Sequence, residues 1–205
     1  MTASHLERIC DQFGRGSGQT DANQYQCFGY IAGTFDAYML VRQLGDKQTE
    51  YCPENIYQYG PTVANLWAVA TPEEKELSAD QFVMLMLRHT DSKCKSPQAQ
   101  QNMTSYGEGT ERLAYRCRGQ PSPYERLFCS NYMKGALDYF NTVALNNNGR
   151  PIFCVQYYED NPVSAQMIEI YKAAPNDPDQ RRAIVPLAQA FEKWHSCNAR
   201  PLRKK

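Results

Sequence analysis

The sequence contains the same ten-residue motif twice. The pattern C-x-x-Y-x-x-G-x-x-D spans residues 27–36 and recurs at 129–138, an offset of 102 residues. An internal repeat constrains the fold more than any other signal, because each copy must be one structural unit. The chain therefore predicts two copies of a unit of roughly 90–100 residues, the usual size of a small domain.

The cysteines repeat together with the motif. The next cysteine follows the first motif residue after 25 residues in both copies, and the last one comes 42 or 43 residues later. Each copy also has one cysteine before the motif, which gives two sets of four: Cys10, Cys27, Cys52 and Cys94, then Cys117, Cys129, Cys154 and Cys197. An even number divided equally between small units is typical of a disulfide framework. Zinc is the alternative, but structural zinc sites use closely spaced cysteine pairs, and the shortest interval here is 12 residues. We therefore expect disulfides, with no metal and no cofactor.

Apolar periodicity predicts helices throughout both copies. The expected helices cover residues 3–13, 25–44, 61–70 and 124–145, then 162–173, and a further helix opens at the capping-box signature Ser78-Ala79-Asp80-Gln81. The polar residues 14–23 predict a loop, and the last helix either kinks at Pro186 or begins there. The expected fold class is all-α: two tandem, homologous small helical bundles, each with about three to four helices and two disulfides. The predicted boundaries are 1–95 for the first repeat, 96–110 for the linker and 111–205 for the second repeat.

The helix order also suggests which cysteines pair. If the second helix of a unit descends and the third rises, then the last two cysteines of the unit meet at one end and the first two at the other. Four cysteines allow three pairings, and this topology favours Cys10–Cys27, Cys52–Cys94, Cys117–Cys129 and Cys154–Cys197.

The other motif residues are Tyr30, Gly33 and Asp36 in the first copy, and Tyr132, Gly135 and Asp138 in the second. Glycine inside a helix costs about 1 kcal/mol against alanine, so its recurrence indicates that another helix packs closely there. The aspartates could be functional groups, but a buried carboxylate that holds a backbone amide or a tyrosine hydroxyl is the favoured interpretation.

Composition excludes several function classes. The 22 basic and 22 acidic residues balance, which gives no electrostatic case for a nucleic-acid partner, and no run of 18 apolar residues predicts a membrane span. No catalytic motif is present, so we expect a protein that is not an enzyme and has no catalytic residue. Disulfides require an oxidising compartment, periplasmic or secreted, and the start Met1–His5 lacks an apolar signal core, so an export signal is expected to have been removed.

Tyrosines are concentrated before the second helix of each copy. Tyr51, Tyr57, Tyr59, Tyr157 and Tyr158 all fall in this segment. Tyrosine-rich loops are common in protein interfaces. Packing of the rings over a thin core is an equally good interpretation.

The combined pattern resembles the Rap/Tai-type immunity proteins of bacterial type VI secretion. The resemblance covers about 70 residues of each copy and rests on these residues: Cys27, Tyr30, Gly33, Asp36, Ala37, Tyr51-Cys52-Pro53 and Cys94, then Cys129, Tyr132, Gly135, Asp138, Phe153-Cys154 and Cys197. It implies a small all-helical periplasmic protein that blocks a peptidoglycan-cleaving amidase toxin by occluding its active site. The family usually has one such unit and is often dimeric, so the tandem repeat here is expected to replace a homodimer.

Two further hypotheses belong to other function classes. One is a periplasmic acid or stress chaperone, or another secreted helical interaction module, and the other is a small enzyme that uses Asp36 and Asp138.

Overall fold

A computed structural model describes residues 1–11, 18–45, 51, 59–90, 107–118, 122–155, 160–174, 176–177 and 179–197. The described residues are helical, without a named strand. The helices of the first half are α1 (Ala3–Cys10), α2 (Gly18–Leu44), α3 (Tyr59–Val69), α4 (Pro72–Lys75) and α5 (Ala79–His89). Those of the second half are α6 (Thr110–Cys117), α7 (Tyr124–Asn148), α8 (Asp160–Ala173), a 3₁₀ turn (Asp179–Arg181) and α9 (Ile184–His195). The all-α prediction is confirmed.

Helix α2 begins earlier than the sequence predicted. Residues 18–23 were assigned to a loop, but the helix already starts at Gly18. Extending an existing helix is much easier than nucleating one, because each added residue gains one backbone hydrogen bond. Polar residues such as Gln19 and Gln24 are adequate helix formers, so they continue α2 despite the absence of an apolar stripe.

The other helix boundaries follow local sequence signals. Helix α7 ends at Asn148, and the next residue, Gly149, has a φ of 69°, the left-handed conformation that glycine adopts without strain. Helix α5 begins after Ser78, whose backbone N–H donates to Oε1 of Gln81 at 3.2 Å, as the capping-box signature predicts. Helix α9 begins two residues before Pro186, so the proline lies in the first turn, where it removes no intrahelical hydrogen bond.

Helices α2 and α7 form the centre of the molecule and run parallel to each other. The parallel direction follows from their contacts, because Tyr25 lies beside Tyr124 at one end and Tyr38 beside Tyr139 further along. Between these points the backbones approach closely at glycines. A Cβ added to Gly33 would lie 2.7 Å from the carbonyl carbon of Tyr132, closer than any side chain tolerates.

The matching glycine of the second copy makes the reciprocal contact. A Cβ on Gly135 would lie 2.9 Å from Oγ1 of Thr34. Both motif glycines therefore allow the close approach of a second helix, as their mid-helix position predicted. In each case the helix that approaches the glycine is the motif helix of the other copy.

Two clusters of buried side chains flank the central pair. One lies between α1, α3, α5 and one side of α2, and its largest fully buried members include Tyr30, Phe82 and Met86. The other lies among α6, α7, α8 and α9, and it also contains Ala32, Ala37 and Leu40 of α2. The division of the chain into two separate domains stays a prediction, because α2 contributes side chains to both clusters.

Three disulfides connect the helices in the part of the chain that the structure describes. Cys10–Cys27 joins α1 to α2, Cys117–Cys129 joins α6 to α7, and Cys154–Cys197 joins the segment after α7 to the end of α9. These are three of the four pairs that the helix topology predicted. The expected Cys52–Cys94 pair lies outside the described residues.

Corresponding backbone contacts recur in the two halves. The N–H of Ala79 donates to the carbonyl of Met1 at 3.1 Å, and the N–H of Ala183 donates to the carbonyl of Glu108 at 2.8 Å. In each half, the residue two positions before the first helix thus meets the start of the last helix. Among the described residues, no helix is both long enough and apolar enough to cross a membrane.

Candidate functional site

The motif tyrosines and aspartates form two reciprocal pairs across the α2–α7 interface. The hydroxyl of Tyr30 donates to Oδ2 of Asp138 at 2.7 Å, and the hydroxyl of Tyr132 donates to Oδ2 of Asp36 at 2.6 Å. Each carboxylate thus receives its hydrogen bond from the other copy. The four residues predicted as structural from their repetition are brought together in this arrangement.

A backbone nitrogen completes each pair. Oδ2 of Asp36 accepts from the N–H of Glu108 at 3.1 Å, and Oδ2 of Asp138 accepts from the nitrogen of Met1 at 2.9 Å. Met1 and Glu108 occupy corresponding places, each before the first helix of its half. The aspartate of one copy therefore fixes the leading segment of the other copy as well as its tyrosine.

The two aspartates differ in their environment. The Asp36 side chain is 1% exposed, and its Oδ1 has no hydrogen-bond donor among the described residues. Burial raises the pKa of Asp36 to about 6, against the opposing effects of the Tyr132 and Glu108 hydrogen bonds and the charge of Arg182. Asp138 is more accessible, with a side chain that is 18% exposed.

The segment before α6 fits closely around Asp36. Gly107 has a φ of 146°, which side-chain-bearing residues rarely adopt, and a Cβ there would lie 3.1 Å from Oδ1 of Asp36. Glu108 and Thr110 are buried, although the sequence placed both in the linker. The side chain of Glu108 accepts from Nε of Arg116 at 3.0 Å, and Arg116 also pairs with Glu125.

A surface cleft lies between the C-terminal halves of α2 and α7 and the length of α5. Its volume is about 430 Å³, within the size range of ligand pockets. Three tyrosines contribute to its walls: Tyr38 from α2, Tyr139 from α7 and Tyr51 from the segment between α2 and α3. The ring of Tyr38 contacts the rings of both Tyr51 and Tyr139, at centroid distances of 5.8 and 6.1 Å. Burial raises the pKa of Tyr139 above the ordinary tyrosine value, so its hydroxyl stays protonated and can donate a hydrogen bond at physiological pH.

The positive and negative residues of the cleft lie at different depths. Arg88, at the end of α5, is exposed, and Arg42 of α2 is half-buried. Asp80 at the start of α5 is 1% exposed and accepts from the hydroxyl of Ser78 through Oδ1 at 2.6 Å. Its Oδ2 has no hydrogen-bond donor among the described residues. The cleft thus combines positive charge at its surface with a buried, incompletely satisfied carboxylate.

The corresponding place in the second half has a different composition. Because Ala79 and Ala183 make equivalent backbone contacts, Asp80 corresponds to Ile184, which is buried. Arg42 corresponds, through the 102-residue offset, to the buried Ala144. The charged side chains of the cleft therefore come from the first half, and Arg42 and Asp80 have no charged counterpart in the second.

Sequence reasoning identified the framework and missed the cleft. The capping-box signature includes Asp80 but indicates only a helix start, and nothing in the sequence marks Arg42, Arg88 or Tyr139 as residues of a binding site. The structure describes two of the five tyrosines in the tyrosine-rich segments. Tyr51 is buried and Tyr59 packs against the first cluster, as the packing interpretation expects. Tyr57, Tyr157 and Tyr158 lie outside the described residues.

Within the described ranges, no group of three or more histidine, cysteine, aspartate or glutamate side chains could hold a metal ion. Comparison with protein-family models, with curated proteins and with solved structures finds no match for this chain. The resemblance to immunity proteins therefore stays a prediction from the motif residues.

Proposed function

We propose that this protein is a non-catalytic binding protein of the immunity type, which blocks a peptidoglycan-cleaving amidase toxin by occluding its active site. The observation that carries the proposal is the cleft between α2, α5 and α7. Tyrosine, methionine and arginine are enriched in protein interfaces, and this cleft presents Tyr139, Met84 and Arg88 together, over the buried Tyr38. Its position beside the closely packed helix pair gives these side chains a rigid base.

The engagement of the motif carboxylates also supports a binding role. Asp36 and Asp138 are the residues that an enzyme hypothesis would use. Both accept hydrogen bonds from a tyrosine hydroxyl and a backbone nitrogen, and Asp36 is buried. Such contacts orient helices, so we assign the two aspartates to the framework. The enzyme hypothesis is tested by Asp36→Asn and Asp138→Asn, which would leave the function of a binding protein unchanged.

Three disulfides are compatible with an oxidising location, and we propose the periplasm or the cell exterior. We also propose that the two repeats correspond to the two subunits of a dimer joined in one chain. The reciprocal Tyr–Asp pairs support this arrangement, because an interface between identical subunits contains each contact twice.

Binding to the amidase encoded beside its gene tests the proposal. The oxidised protein and the amidase are combined for size-exclusion chromatography and calorimetry, and amidase activity on peptidoglycan is measured in parallel. We expect a stable complex and loss of activity at stoichiometric ratio. Absence of binding at micromolar concentration overturns the immunity assignment.

The acid chaperone is the alternative function, and one observation weighs against it. A carboxyl group with a pKa raised by burial favours the folded state as the pH falls, so Asp36 opposes unfolding in acid. A protein that unfolds near pH 3 and protects client proteins there would restore this alternative.

A further inference from the structure

We propose that the cleft recognises an acidic segment of a protein partner, whose carboxylate side chain binds Arg88 and whose neighbouring hydrogen-bond donor reaches Asp80. This inference rests on the proposed binding role and specifies the chemistry of the partner. It commits to a polypeptide occupant, because the walls combine aromatic rings, a methionine and arginines, the composition of protein interfaces.

The acidic anchor follows from the charge at the cleft surface. Arg88 is exposed, and no ion pair or hydrogen bond of its side chain is present among the described residues. Arg42 lines the same cleft from α2. Arginine binds carboxylates through two parallel N–H···O bonds, which gives both affinity and orientation. A basic segment would meet the like charge of the exposed Arg88 guanidinium group.

The hydrogen-bond donor expected on the partner follows from Asp80 at the base of the cleft. Oδ2 of Asp80 lacks a donor among the described residues, and a buried oxygen without a hydrogen bond is unfavourable. A backbone N–H or a hydroxyl of the bound segment would satisfy it. Because this oxygen is covered in the free protein, entry requires rotation of a half-buried wall residue such as Met84, whose flexible side chain adapts readily.

A peptide library tests this chemistry without knowledge of the partner. The full-length oxidised protein is immobilised, random peptides of about seven residues are selected on it, and the affinities of the enriched peptides are measured by calorimetry. We expect enrichment of aspartate and glutamate, and at least tenfold weaker binding to Arg88→Glu. Arg150→Glu is the matched control, because it reverses the charge of an exposed arginine outside the cleft and should not change the affinity.

Asp80→Asn tests the donor. Its amide oxygen can still accept from Ser78, while its NH₂ group replaces Oδ2 and cannot accept from the ligand. We expect roughly tenfold weaker peptide binding with an unchanged far-UV spectrum. If this variant fails to fold, the Arg88 comparison decides alone, because Arg88 is an exposed surface residue. Selection without acidic enrichment, or equal binding to wild type and Arg88→Glu, overturns the inference.

The amidase experiment separates this inference from the proposed function. If the amidase does not bind but acidic peptides occupy the cleft, the immunity assignment fails and the cleft chemistry stands. If the amidase binds wild type and Arg88→Glu equally well, the immunity assignment stands and the cleft inference fails.

Discussion

The hydroxyl of Tyr132 donates a 2.6 Å hydrogen bond to Oδ2 of Asp36, a residue of the other repeat copy. The pair is fully buried, and its counterpart, Tyr30 with Asp138, is partly exposed. The same two residue types in the same arrangement therefore have different energetics, because one pair is buried and the other is partly exposed.

The stability of the protein should depend on pH through Asp36. Its pKa is about 6 in the folded protein, against an ordinary value of 3.8. Between these values the folded state binds more protons than the unfolded state, so stability falls as the pH rises. We expect this group to make the protein about 2–3 kcal/mol more stable at pH 4 than at pH 7.5. Urea unfolding of wild type and Asp36→Asn across this range measures the contribution as a difference between the two proteins.

The asparagine variant also serves as the control for that experiment. Its amide oxygen can accept from Tyr132 and Glu108, and its NH₂ group takes the place of Oδ1, which has no donor. Asp36→Asn should therefore be at least as stable as wild type at pH 7.5. A variant with the same pH slope as wild type would show that Asp36 does not titrate in this range.

Tyr132→Phe should be more destabilising than Tyr30→Phe. The first change removes one of two hydrogen bonds to the buried Asp36, and a buried group that loses its partner costs about 1–3 kcal/mol. The second affects Asp138, which is 18% exposed and keeps the nitrogen of Met1. Chemical denaturation at pH 7.5 gives both values. Equal losses would contradict the difference in burial.

Gly33→Ala should destabilise the α2–α7 interface strongly. The new Cβ would overlap the backbone of Tyr132, which cannot rotate away, and overpacking of this kind costs about 1–3 kcal/mol or more. Gly109→Ala is the comparison without a steric clash, since the nearest atom to its Cβ would be 3.8 Å away, and it should lose only the smaller preference of an N-cap for glycine over alanine. Denaturant midpoints compare the two, and similar midpoints would refute the tight contact.

The disulfides should contribute unequally. Cys154–Cys197 closes a separation of 43 residues and Cys117–Cys129 one of 12. In the loop-entropy model the longer loop stabilises by about 1 kcal/mol more. The double replacements Cys154→Ser with Cys197→Ser, and Cys117→Ser with Cys129→Ser, measure each bridge by urea unfolding. A larger loss from the shorter loop would mean that native packing around that bridge, rather than chain entropy, determines its contribution.

Capping residues and terminal glycines predicted the helix ends well, because each acts only on the neighbouring turn. The serine before α5 and the glycine after α7 fix helix ends through their own backbone or side-chain bonds, whatever the rest of the fold does. The sequence does not predict the early start of α2, because residues 18–23 are polar and polarity alone does not separate a loop from a helical turn.

The repeat predicted which motif residues are structurally important, but not which residues they contact. Glycine at positions 33 and 135 indicated a close helix neighbour, and the neighbour proved to be the other copy. The cleft could not be predicted, because it depends on the placement of α5 beside α7. These two helices come from distant parts of the chain. Nothing in the spacing of Asp80, Arg88 and Tyr139 indicates that they share one surface.

The glycine contact between α2 and α7 also couples the two halves mechanically. A larger side chain at this junction in one half would collide with main-chain atoms of the other, so neither glycine can be enlarged without moving the partner helix. The two halves differ outside this contact, with Asp80 at the start of α5 and the buried Ile184 at the corresponding place in α9. The charge of the surface beside α5 can therefore be altered without changing the junction that holds the two motif helices together.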